Sequence, residues 1–303
     1  MTIRKRLEFA AVLVLVRFLG WLPRAGARLA GSVIGITAYL LWPRLRRVGD
    51  RNLRLAFPEK SSIERDSILR QEYHNLGWLL AEFCQMRKYT PKNTARFIRY
   101  EGLEHYLKAR EAGRGVLILT GHLGAWELSS FYHSLMGYPM NMVIRRLDNE
   151  LVDDLVNGIR CLHGNKVVHK DDFARGLISA MRAGETVGIL MDTNMTPPQG
   201  VFVDFFGTQA CTGSGMARVA LKTDAAVLPG FLLWEESEQR YVLHFGEELK
   251  LVHTGDHEAD IVANTALFTN VLEEYIRKYP EQWLWVHRRW KTRPEGEPPI
   301  YPK

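Results

Sequence analysis

The run Gly115-Val-Leu-Ile-Leu-Thr-Gly121 is apolar at four consecutive positions and bounded by glycines. It is too short for a helix that pays its own way and reads as a strand buried on both faces. Such a strand has no side to turn to water, so the sheet that holds it needs cover above and below. Helices supply that cover when they alternate with strands. Further strands are predicted at residues 141–144, 166–169, 186–191, 225–234 and 241–245. Helical stretches are predicted near 149–161, 171–183, 213–222 and 261–279. Upstream, Ser61 or Ser62 caps a helix through residue 88, carrying Leu69, Tyr73, Leu76, Leu80 and Phe83 at helical spacing. Residues 102–112 read as another helix. The expected fold is α/β, with a mixed, largely parallel central sheet flanked by helices. With 46% hydrophobic residues the chain of 303 has ample core material and is not a disordered one. Cys84, Cys161 and Cys211 are widely spaced, which disfavours a disulfide scaffold or a cysteine zinc site.

The first 54 residues differ from the rest. They hold eleven basic and two acidic residues, a net of +9, against +6 for the whole chain. The basic residues are interleaved with two apolar runs, 7–22, broken by Arg17, and 29–42, which is uncharged. A membrane span needs about 20 apolar residues, and neither run reaches that. The pattern predicts two N-terminal helices that dip into one leaflet of an anionic lipid surface, with Arg and Trp at the headgroups. The cluster from Arg44 to Arg54 predicts that the body lies on the cytoplasmic side of the membrane. Nucleic acid is not an expected partner, because the cations sit among aliphatic residues. Two domains are expected: membrane-associating helices over 1–54 and an α/β domain over 55–303.

The chemistry is concentrated where the first buried strand ends, at Gly121-His122-Leu-Gly124-Ala-Trp-Glu127. Ligands of open α/β sheets bind beyond the carboxyl ends of the strands. His122 in the turn and Glu127 on a helix starting near Gly124 are close enough to meet. A carboxylate on one imidazole nitrogen leaves the other to take a proton from a hydroxyl, with helix-start amides facing the oxyanion. The bland alternative is a hydrogen-bonded core histidine beside a surface glutamate. No GxSxG elbow, P-loop or dinucleotide fingerprint is present. Thr212-Gly-Ser-Gly215 reads as a helix entry, His253-Thr-Gly-Asp-His257 as a surface loop and His169-Lys-Asp-Asp172 as a turn into a helix cap. No metal or cofactor site is expected.

His122 and Glu127 match the HxxxxD/E motif of the glycerolipid and lysophospholipid acyltransferase superfamily. Within it the chain resembles the lipid A biosynthesis (late) acyltransferase family. The similar segments are Arg51-Asn-Leu-Arg-Leu-Ala-Phe-Pro58, Val143-Ile-Arg-Arg-Leu-Asp-Asn149, Ile189-Leu-Met-Asp-Thr193 with Gly200-Val-Phe-Val-Asp-Phe-Phe-Gly207, and Gln282-Trp-Leu-Trp-Val-His-Arg-Arg-Trp-Lys-Thr-Arg-Pro294. Many relatives carry Tyr-Arg-Pro where this chain has Ile144-Arg145-Arg146.

The resemblance implies transfer of a fatty acyl chain from acyl carrier protein, or acyl-CoA, to a hydroxyl of a lipid A precursor or related envelope glycolipid. It implies His122 as general base, Glu127 as its orienting carboxylate and no covalent acyl-enzyme. Asp192, after another strand, competes with Glu127 for that role. Arg145, Asn149, Gly207, Thr212, Arg218, His287, Arg288 and Arg289 are the candidate substrate-binding residues. Trp283, Trp285 and Trp290 more often mark a core edge than an acyl site. The rival readings are a phosphatidylinositol mannoside or lysophospholipid acyltransferase, a membrane hydrolase in which His122 activates water, and a non-catalytic lipid-binding module on the same fold.

Overall fold

A computed structural model of the chain describes residues 2–169 and 173–301. The turn expected at His169–Asp172 reaches outside the described residues.

The N-terminal region forms α1 (Ile3–Trp21), α2 (Arg24–Leu41) and α3 (Pro43–Ala56), followed by the long α4 (Ser62–Gln85). A reciprocal capping box between Ser61 and Glu64 starts α4. Then come α5 (Pro91–Thr94), β1 (Ile98–Glu101), α6 (Leu103–Glu111), β2 (Val116–Thr120), α7 (Trp126–Leu135), β3 (Asn141–Ile144), α8 (Glu150–Arg160), β4 (Lys166–His169), α9 (Phe173–Arg182) and β5 (Thr186–Leu190). A hairpin of β6 (Gly200–Phe205) and β7 (Thr208–Gly213) leads to α10 (Gly215–Thr223), β8 (Ala226–Glu235), β9 (Arg240–Phe245) and α11 (His257–Lys278).

Among the described residues the central sheet has seven strands in the order β1-β9-β8-β2-β5-β3-β4. Every pairing is parallel except β8 with β9, so the expected mixed, largely parallel sheet is present. β2 lies in the middle with Val116, Leu117, Ile118 and Leu119 all buried. Side chains from its two faces enter two separate core layers, one with Leu117 and Leu119 and one with Val116 and Ile118. That is the two-sided cover the sequence demands.

Helices α2 and α4 cross at backbone contact. A Cβ on Gly31 would stand 2.2 Å from the Gly77 carbonyl oxygen, so a side chain there would force the helices apart. Asp256, in the loop read from His253 to His257, caps α11 through the amides of Glu258 and Ala259.

No single helix among the described residues is long and apolar enough to cross a membrane. Only α2 and α3 together pass by length and composition, and they are bent by 88° at Trp42. α1 and α2 nevertheless leave large apolar side chains in the open, with Leu7 at 66%, Trp21 at 79% and Leu40 at 62% exposure. Two cations expected at the headgroups turn inward instead. Arg24 donates to the carboxylate of Glu82, which is fully buried on α4, and Arg28 lies 3.3 Å over the Trp78 ring. A buried carboxylate needs a counter-charge, and α2 supplies it.

Candidate active site

The parallel register of β2 and β5 builds the centre. Thr120 is paired with Leu190, and each strand then runs on two residues to His122 and Asp192. Residues 70 apart in sequence thus emerge side by side at the carboxyl edge of the sheet. Nδ1 of His122 lies 2.9 Å from Oδ1 of Asp192. Oδ2 accepts the backbone N–H of His122 at 2.6 Å and the indole N–H of Trp283 at 2.8 Å. A carboxylate with three donors is strongly held as an anion. Burial pushes its pKa up, but the His122 side chain and these hydrogen bonds outweigh that and hold it at about 2. Burial likewise pulls the His122 pKa down, while Asp192 first and Glu127 second raise it, for a net upward shift.

A backbone strap fixes the histidine from the far side. Leu123 bridges Trp283 in antiparallel fashion, with Gly124 N–H donating to the Gln282 carbonyl and Leu284 N–H to that of His122. Gly124 has φ +66°, and a Cβ there would meet the Leu232 carbonyl oxygen at 2.1 Å. Only glycine fits that turn. The helix starts at Trp126, two residues later than expected, because Ala125 N–H is still bonded to the Leu232 carbonyl. The amides of His122, Gly124 and Ala125 are therefore occupied. Those of the first turn of α7 have no side-chain cap from Ala125.

Glu127 does not take the hydrogen bond on His122 Nδ1. It receives a two-pronged contact from Arg160 of α8, with Nε to Oε2 at 2.8 Å and Nη2 to Oε1. Both side chains are mostly buried. Arg160 carries no signal in spacing or motif, and nothing in the sequence read alone singles it out.

His122, Trp126, Glu127 and Arg160 line a cleft of about 960 Å³ that runs between the β3 and β5 ends, α9 and α10. Its walls are mainly apolar, including Val143, Ile178, Met191, Met195 and Met216, and Arg145, Arg218, Lys222 and His257 also line it. The Arg145 side chain is 76% exposed and, among the described residues, is bonded to the surface carboxylate of Asp148. Arg218 pairs with Glu258 and bonds Ser214.

The other candidate binding residues lie apart from the cleft lining. Arg289 is fully buried, donating to the Cys211 carbonyl and the hydroxyl of Thr212, also fully buried; burial pulls its pKa down to about 10. It pins the C-terminal segment to β7. Gly207, at φ +72°, turns the β6–β7 hairpin. Asn149 donates to the Lys5 carbonyl and Glu8, tethering α8 to α1. Nε2 of His287 accepts the Asn194 N–H at 3.1 Å, and Arg288 stands 5.8 Å from the Tyr301 ring centroid. Trp283, Trp285 and Trp290 are core, each 1% exposed or less.

An imidazole anchored to a buried carboxylate thus opens on a largely apolar cleft with cationic residues, an arrangement with room for an apolar ligand and with a nitrogen able to accept a proton. The chain belongs to the family described as bacterial lipid A biosynthesis acyltransferase, whose model matches residues 2–292. It is 30% identical over 273 residues to the lipid A biosynthesis lauroyltransferase of Escherichia coli K12, covering 89% of this chain and 87% of the relative. It is 27% identical over 272 residues to the palmitoleoyltransferase of the same strain, with the same coverages. The myristoyltransferase of that strain is 25% identical over 247 residues, covering 81% of this chain and 75% of the relative. The protein is an acyltransferase of lipid A synthesis, as the sequence resemblance implied.

Proposed function

We propose that the enzyme transfers a fatty acyl chain from an acyl carrier protein thioester, with acyl-CoA as the second choice, to a hydroxyl of a lipid A precursor, using His122 as general base. The observation that carries this is the Asp192–His122 pair at the edge of the cleft. Asp192 on Nδ1 fixes the imidazole so that Nε2 accepts the acceptor hydroxyl proton. The alkoxide oxygen bonds to the thioester carbonyl carbon, and the oxyanion forms at the uncapped first turn of α7. Collapse breaks the C–S bond, and the imidazolium returns its proton to the departing thiolate. No enzyme nucleophile is needed.

Glu127 raises the His122 pKa from a distance and holds Arg160 at the cleft wall. Arg145, Arg218 and Lys222 at the cleft suit the phosphates of the acceptor and the acidic carrier. The exposed apolar residues of α1 and α2 lie in one leaflet of the inner membrane, on its cytoplasmic side, and position the cleft for a lipid acceptor.

The test is a mass-resolved reaction with acyl carrier thioester and a tetra-acylated lipid A precursor. Wild type, His122→Ala and Asp192→Asn are compared. An added acyl mass lost by about 10²–10⁴-fold without His122 supports the base assignment. Undiminished product from His122→Ala overturns it.

A further inference from the structure

The cations of the large cleft stand on two different parts of the fold. Arg145 and Leu147 line it from the loop between β3 and α8. Two residues beyond Leu147, the Asn149 side chain ties that loop to α1, donating to the Lys5 carbonyl at 2.8 Å and to Glu8 at 3.3 Å. Ile3 and Leu7 flank Lys5 on α1, and both are exposed, as is Leu147. The Arg145 side of the cleft is therefore tethered to a helix whose open apolar side chains suit a lipid leaflet.

Helix α10 forms another side. Gly215, Arg218, Val219 and Lys222 recur on it at helical spacing, and all four line the cleft. Arg218 and Lys222 are one turn apart, about 6 Å along the helix. Arg218 is held by Glu258 of α11, while Lys222 is exposed at the end of the stripe. α10 packs on α9 and α11, whereas α8 packs on α1 and α7. Met216 of α10 and Ile261 of α11 enter one core layer, and Ile159 of α8 enters the other. Arg145 thus leads into one layer of the fold, and the α10 cations belong to the opposite one.

The two substrates differ in how they arrive. A lipid acceptor is confined to the bilayer and meets the side that α1 flanks. A thioester donor is soluble. Carrier protein and CoA alike present the acyl group on a pantetheine arm, uncharged along its length and ending in a phosphate. Such an arm needs a groove that runs from the base to a cation, and His122 and Lys222 line the same cleft. Resting on the acyl-transfer reading, we propose that α10 is the donor's side of the cleft: Lys222, with Arg218 one turn before it, binds the phosphate of the pantetheine arm, and the lipid acceptor enters on the Arg145 side. A lysine meets a phosphate as a point charge and needs no fixed fork geometry, which suits a flexible arm.

The experiment compares wild type, Lys222→Ala and Lys222→Arg as full chains. One acyl group is supplied on three donors: acyl carrier protein, phosphopantetheine, and pantetheine, which lacks the phosphate. The acceptor is a tetra-acylated lipid A precursor in anionic vesicles. The expected result is that Lys222→Ala lowers kcat/KM for both phosphate-bearing donors by about tenfold, the loss of one hydrogen bond to a charged group. The pantetheine donor and KM for the acceptor stay at their wild-type values, and Lys222→Arg keeps the preference for phosphate. Lys222 is exposed, so its variants are expected to keep the wild-type Tm.

An equal loss with pantetheine overturns the proposal, because the phosphate is then not what Lys222 reads. A loss confined to the carrier protein also overturns it and places Lys222 against the protein surface instead of the arm. A raised acceptor KM with unchanged donors puts the acceptor at α10 and overturns it too. If wild type transfers from no donor, the acyl-transfer reading falls and takes this inference with it. Transfer that is indifferent to Lys222 overturns this inference alone.

Discussion

Asp192 grips His122 twice: Oδ1 lies 2.9 Å from the ring Nδ1, and Oδ2 takes the backbone N–H of the same residue at 2.6 Å. Ring and backbone are tied to one carboxylate, so the imidazole has little freedom to rotate. Asp192→Asn keeps the size but offers an amide that can present N–H to Nδ1 and favour the wrong tautomer. The expected loss in kcat is about 10²–10⁴-fold, with KM for both substrates nearly unchanged. Steady-state rates check it; a large KM effect with intact kcat would contradict the role.

The pH profile follows from the same pair. His122 must be neutral to accept a proton, and its pKa is raised by Asp192 and Glu127 against the opposing effect of burial. Activity therefore falls on the acid side of a midpoint above the ordinary histidine value of about 6.5. Asp192→Asn moves that midpoint to lower pH. For stability the sign is opposite to that for activity: the imidazolium–carboxylate pair contributes fully below the unfolded histidine value and fades as pH rises through the higher folded one. Rate profiles and chemical denaturation across pH 5–8 separate the two.

Glu127 and Arg160 are expected to act as a unit. Removing either leaves the other charged and mostly buried, while removing both leaves neither stranded. A double-mutant cycle with Glu127→Ala and Arg160→Ala is predicted to show coupling of about 1–3 kcal/mol in unfolding free energy. Additive effects would mean that the pair is not formed in solution.

Arg289 is predicted to matter for folding. Arg289→Ala removes two buried hydrogen bonds, to the Cys211 carbonyl and the Thr212 hydroxyl. The expected destabilisation is about 2–4 kcal/mol, seen as a fall in Tm with unchanged KM in the folded fraction. A rise in KM at unchanged Tm would restore it as a binding residue.

The exposed apolar face is open to a direct test. Trp21→Glu with Leu40→Glu is predicted to weaken sedimentation with anionic vesicles by at least about tenfold, since each side chain gives up about 1.5–3 kcal/mol of apolar burial. Thermal stability should be retained because both residues are exposed. Unchanged vesicle binding would sink the leaflet assignment.

The sequence made most elements legible, the four-residue strands β3 and β4 included, but not β1, β6 or β7. β2 and α4 carry four consecutive apolar residues and a capping box, signals that local physics produces directly. β1 is four residues with two charges at an edge, and β6 mixes apolar residues on both faces, so neither has a clean period. At the centre, His122 was legible from its glycines. Its partner was not settled, because HxxxxE is a local pattern and Asp192 reaches the histidine through strand register. Arg160 needed the packing of α8 against α7 to acquire any meaning.

The strap that crosses the histidine comes from residues 282–284, far along the chain from both residues it braces. Synthesis runs from the amino terminus, so His122 and Asp192 both leave the ribosome long before Trp283 arrives to brace them. The bracing of the His122–Asp192 pair therefore waits for a segment made some ninety residues after Asp192. A chain cut at residue 280 would carry both His122 and Asp192 and still lack the Trp283 indole and the backbone bonds that hold them in place.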